Sequence, residues 1–232
     1  MPAGCGGEGA DGLLPLMDAP PVRPVPGLFS TNVVVLDWTG GSNRIYPDHD
    51  FPGLNLSTYR ISNGGTIAER AGEFHEAVRS KISRILADIP DLRIDVRSAE
   101  AELSEGATVV FLTQAMPPEG RSDIGEGEFD PCDVEPDNVA IIYGEKVRRI
   151  AAARSWDEWV TTLANVCAHE IGHALGFPHV SRSEAGSPAH LAVELMLDGH
   201  TVEELHREQR FLADQSNCSA ASMNDDAMQN RE

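Results

Sequence analysis

Apolar residues fall along this chain in two rhythms, and the changes between them mark its elements. Asn32 to Trp38 (NVVVLDW) is a short β-branched run between Ser30 and Gly40-Gly41, which predicts a buried strand. Residues 40–65 are polar and glycine-rich, a connecting stretch. The period then lengthens. Ile67, Ala71, Phe74, Val78, Ile82, Ile85 and Ile89 follow the three-four spacing of one helical face. Thr66 and Glu69 form a capping box at its start, and Pro90 stops it. Leu92 to Val96 alternates as a half-buried strand does, and Thr108–Leu112 and Asn138–Tyr143 are further strands. A second capping box at Ser155 and Glu158 opens a helix running to about Leu175. A third, at Thr201 and Glu204, opens a last helix expected to reach roughly Ala213. Strands interleaved with helices predict one α/β (α+β) domain over residues 31–216. Residues 1–30, rich in glycine and proline, and the polar residues 217–232 read as tails.

Composition narrows the partners. Eighteen Lys and Arg against 37 Asp and Glu leave a net charge of −19. Such a chain repels phosphate backbones and anionic headgroups, which argues against nucleic acid and membrane surfaces. No run approaches the ~18 apolar residues of a membrane span. Four cysteines are too few for a disulfide scaffold at this length, and a monomer is expected.

The chemistry is concentrated at the end of the second helix, in His169-Glu170-Ile171-Gly172-His173-Ala174-Leu175-Gly176-Phe177-Pro178-His179. Residues four apart share a helical face, so His169 and His173 can present two imidazoles to one metal ion. Glu170, beside the first ligand, can reach a water at that ion without being a ligand. Gly176 permits the left-handed turn that ends the helix, and His179 can then supply a third nitrogen. Three protein ligands with an open position are the mark of a catalytic zinc, whereas a structural zinc is closed by four.

At these residues the chain resembles the metzincin clan of zinc endopeptidases, whose signature is this motif followed by a methionine turn. Glu194-Leu195-Met196-Leu197-Asp198 is similar to that turn, with Met196 as a packing floor beneath the metal. The HEIGHALGF wording is matrixin-like. Three departures point to a divergent, bacterial branch: Val180 follows the third histidine, no proline follows Met196, and Asp198 stands where astacin-like and serralysin-like enzymes carry a tyrosine ligand. The resemblance implies a twisted, mostly parallel sheet with a long backing helix, an active-site helix and a C-terminal helix. It implies zinc held by His169, His173 and His179, with Gly176 and Met196 supporting the site. Glu170 would be the general base of peptide hydrolysis, acting on a protein or peptide laid along a sheet edge from within residues 114–137. Two other readings stay open: a metal-retaining binding module without turnover, and a zinc enzyme whose third ligand is Glu194, Glu203 or Glu204.

Weaker signals complete the picture. Asp123, Glu126, Glu128, Asp130, Asp133, Glu135 and Asp137 are either a structural calcium site or, the favoured reading, a solvated acidic loop. His49, His75, His190, His200 and His206 have no metal-ligand spacing and read as surface or packing residues. Cys132 with Cys218 is the preferred pair if the compartment is oxidising. Pro2-Ala3-Gly4-Cys5 resembles the end of a lipoprotein signal, which would make the protein secreted or envelope-anchored through Cys5; a cytoplasmic tail and a zinc-blocking thiol are the alternatives.

Overall fold

A computed structural model describes residues 33–89, 94–98, 107–119, 121, 123–130, 133, 137–153, 155–183 and 193–211. Both expected tails, Cys5, Cys132, Cys218, Glu135 and His190 lie outside them. The central sheet holds β1 (Val33–Asp37), β4 (Asp95–Ser98), β5 (Ala107–Thr113), β6 (Gly125–Gly127) and β7 (Val139–Tyr143), in the order β4-β1-β5-β7-β6. The first four in that order are parallel, and β6 closes one edge antiparallel to β7. Two short strands, β2 (Gly40–Gly41) and β3 (Phe51–Pro52), pair beside it. The helices are α1 (Ala71–Ala87), α2 (Gly144–Ala151), α3 (Trp156–Ala174) and α4 (Val202–Leu205). The mixed α/β architecture with a mostly parallel sheet is therefore as expected.

Period-two alternation along β5 and β7 divides the core. Val110, Leu112, Ala140 and Ile142 face α1 and α3, while Phe111, Val139, Ile141 and Tyr143 meet Phe51 on the other side. Phe74, Val78, Ile82 and Ile85 are all buried, so the predicted apolar stripe of α1 is the face that backs the sheet. The Thr66 capping box exists but caps a 3₁₀ turn, Ile67–Arg70, that leads into α1.

Three elements depart from expectation. The strand expected at Leu92–Val96 runs Asp95–Ser98 among the described residues, with Val96 inward and Arg97 outward. The helix α2 was not expected, because only Val147, Ile150 and Ala151 punctuate a run of charged residues there. The last helix does not continue to Ala213: α4 is a single turn. Its C-terminal carbonyls find side-chain partners instead, Leu205 O and Arg207 O accepting from Asn165 Nδ2 at 3.1 and 2.7 Å, and Glu204 O from Gln209 Nε2 at 3.1 Å. Those bonds turn the chain back, and Arg210 then bridges Glu194. No helix among the described residues is long and apolar enough to cross a membrane.

Candidate metal centre

The helix α3 carries the site because both its ends are specified locally. At the start, Ser155 Oγ accepts from the Glu158 amide at 3.1 Å and Glu158 Oε2 from the Ser155 amide at 3.0 Å. At the end, Gly176 adopts φ +84°. The Phe177 amide donates to Gly172 O and the Gly176 amide to His173 O, both at 2.9 Å, which is a Schellman motif. That turn reverses the chain after Ala174 and brings His179 back over the helix.

His169, His173 and His179 converge, with one ring nitrogen of each lying within 4.8 Å of the others. His169 Nε2 and His173 Nε2 each lie 3.1 Å from His179 Nε2. The other nitrogens settle the tautomers. His169 Nδ1 is 2.7 Å from Leu195 O, and His173 Nδ1 is 2.9 Å from Phe177 O. A carbonyl oxygen can only accept, so both Nδ1 atoms carry the proton and both Nε2 atoms offer lone pairs. Both lone pairs point towards His179 Nε2, so the three ring nitrogens bound one small space. Tetrahedral zinc–nitrogen bonds of ~2.0–2.1 Å would separate the nitrogens by about 3.3 Å, so the donor set fits zinc. Burial, then the neighbouring His173, holds His169 down to about 3; burial, then His179, holds His173 down to about 4. Both imidazoles are thus neutral, as ligation requires.

Glu170 leaves the helix towards the sheet edge and is only 6% exposed. Burial first, then the charges of Asp123 and Glu126, push its carboxyl up to about 8, while the Gly127 amide donates to it and opposes the rise. The edge strand lies directly against it. A methyl group built on Gly125 would sit 2.5 Å from Glu170 Oε1, and one on Gly127 would sit 2.8 Å from Glu170 O. Only glycine lets β6 approach so closely.

Below the imidazoles, Met196 is fully buried against Gly172, where an added Cβ would lie 2.5 Å from its Sδ. The turn is tied to the segment that carries His179: the Val180 amide donates to Met196 O at 2.8 Å and the Asp198 amide to Val180 O at 2.9 Å. Leu195 O accepts a second bond, from His200 Nε2 at 2.9 Å. Gln209 Nε2 lies 3.0 Å from His200 Nδ1, and an amide NH₂ can only donate, so that nitrogen is the acceptor.

Four of the six expected site residues, His169, Glu170, His173 and His179, line a cleft of about 560 Å³, with Gly176 in the turn that ends α3 and Met196 buried behind Gly172. The sequence did not point to Gly125, Gly127, Gly172, His200 or Gln209. A Gly-Glu-Gly alternation inside the acidic stretch was the only signal for the first two. His200, expected as a surface or packing residue, lines the cleft and shares a carbonyl with His169 without joining the three histidines. The calcium reading finds no support. Glu126 accepts from the Tyr46 and Tyr143 hydroxyls at 2.8 and 3.0 Å, and Glu128 pairs with Arg44. Among the described residues the three histidines are the only group that could hold a metal. Among the described residues no carboxylate joins them; Glu194 Oε1 accepts from the Met196 amide at 3.0 Å, and Glu204 pairs with Arg182 at 2.8 Å. Cys167 is a buried free thiol on α3.

No protein-family model and no curated protein matches the chain. Among solved structures, it is similar to the crystal structure of archaemetzincin from Methanopyrus kandleri at 9% identity, with 82% of this chain and 93% of that one covered and a TM-score of 0.41. A superposition this loose determines neither fold nor chemistry, which rest on the chain's own geometry.

Proposed function

We propose that the protein is a zinc-dependent endopeptidase of the metzincin kind, matrixin-like in the wording of its motif and divergent around it. The convergence of three imidazoles beside a buried carboxylate carries this reading. His169, His173 and His179 would hold the ion. Zinc, when bound, supplies Lewis acidity to a water and to a carbonyl oxygen. Glu170 would take the proton from the attacking water and deliver it to the leaving amine. An extended peptide adds to the free side of β6, backbone to backbone, which holds its carbonyl beside Glu170. Glu126 anchors that strand through Tyr46 and Tyr143, and Glu128 Oε2 accepts from the Val139 amide at 2.8 Å.

The test is cleavage of a denatured protein substrate, with chelator and with zinc restored. Zinc-dependent appearance of internal fragments is expected. Cleavage that survives complete metal removal, or none with zinc bound, would overturn the reading.

A further inference from the structure

His200 lines the cleft beside His169, with ring centroids 5.8 Å apart, and both of its ring nitrogens are committed to the protein. Nε2 lies 2.9 Å from Leu195 O, and Nδ1 lies 3.0 Å from Gln209 Nε2. The two contacts require the same tautomer. A carbonyl needs a donor, so Nε2 carries the proton; an amide NH₂ needs an acceptor, which the bare Nδ1 supplies. Gln209 is held in turn, being 1% exposed and donating to Glu204 O at 3.1 Å. With no nitrogen to spare, His200 is neither a fourth ligand nor a donor to substrate.

These bonds run in one direction, towards the histidine cluster. Gln209 donates to His200 and His200 to Leu195 O, and that oxygen also accepts from His169 Nδ1 at 2.7 Å. A carbonyl oxygen has two lone pairs, and both are used here. The nitrogen side of the same peptide unit is tied as well, the Met196 amide donating to Glu194 Oε1 at 3.0 Å. An imidazole pinned at Nδ1 has the direction of its Nε2 set, so Leu195 O aims His169 at the other two rings. His173 differs: its Nδ1 partner, Phe177 O, lies in the turn that ends its own helix. His169 instead depends on a segment 26 residues away, and His200 braces that segment.

We infer that His200, held by Gln209, is a positioning residue for the metal: it braces the Leu195 carbonyl that orients His169 Nε2. The inference rests on the zinc reading of the three histidines. Without the His200 N–H, the carbonyl keeps one donor, His169 itself, and the pair loses its outer restraint. Loss of an outer partner of a ligand costs roughly 10–100-fold in metal affinity. His200 acts through such a partner, so the lower end is expected.

Zinc affinity of the full chain, measured by competition with a chelating dye, tests this with three substitutions. His200→Leu fills the space without a donor. His200→Gln puts an amide N–H as many bonds from Cβ as the imidazole Nε2, and His200→Asn puts one a bond short. Binding about tenfold weaker is expected for Leu and Asn, and within about threefold of the parent for Gln. Should the leucine variant not fold, the Asn and Gln variants, alike in chemistry and different in reach, carry the test alone. Unchanged affinity in Leu and Asn, or a Gln variant as weak as Asn, would overturn the inference and leave the zinc reading intact. A parent that binds no zinc would overturn that reading, and this inference with it.

Discussion

Gly172 and Met196 meet so closely that a single added carbon would lie 2.5 Å from the sulfur and 3.0 Å from the Phe211 ring. Gly172 precedes His173, so this contact sets how closely the turn at Met196 seats beneath the candidate metal site. Gly172→Ala gains about 1 kcal/mol of helix propensity. It must also displace a fully buried sulfur, and overpacking of this kind costs about 1–3 kcal/mol. Net destabilisation of up to about 2 kcal/mol in urea unfolding is expected. Met196→Ala made in the same chain should relieve part of it. Simple additivity of the two changes would show that they do not press on each other.

His179 is the most exposed of the three candidate ligands and reaches the site through the Gly176 turn. Loss of an outer partner of a ligand costs roughly 10–100-fold in metal affinity, and loss of a ligand should cost more. His179→Ala is therefore expected to weaken zinc binding by more than about 100-fold in competition with a chelating dye. Retention of tight binding would revive a glutamate as third ligand, against the positions of Glu194 and Glu204.

How much of this was legible beforehand differs by element for physical reasons. The helix α3 was readable because Ser155, Glu158 and Gly176 act within a few residues of themselves, and caps of that kind are local. The apolar stripe of α1 was equally plain. The edge strand was not, since Gly125-Glu126-Gly127 has no strand propensity. Its pairing with β7 and the anchoring of Glu126 come from residues far along the chain. The capping box at Thr201 is real, with Glu204 Oε2 accepting from the Thr201 amide at 2.7 Å. The length of α4 was misjudged because Asn165 and Gln209 satisfy its carbonyls from outside the segment.

Glu204 also predicts a pH dependence. Hydrogen bonding to Arg182 is the largest cause that holds its carboxyl down to about 2, from an ordinary value of 4.5. A depressed folded value means that the stabilisation is complete above the ordinary value and is lost as pH falls from about 4.5 towards 2. Allowing for solvent screening, the contribution is about 1–2 kcal/mol. Glu204→Gln should lower stability by that amount at pH 7 and flatten the fall below pH ~5. Parallel acid limbs for the two proteins would contradict the assignment.

The central claim is that Glu170 works as the base at a metal it does not bind. It is tested most directly by measuring zinc content and peptide cleavage together in Glu170→Gln. The amide keeps the shape of the side chain between Gly125 and Gly127 but cannot take a proton from water. The expected result is one zinc per chain, as in the parent, with cleavage slowed by about 10²–10⁴. A variant that cleaves as fast as the parent with its zinc in place would contradict the claim.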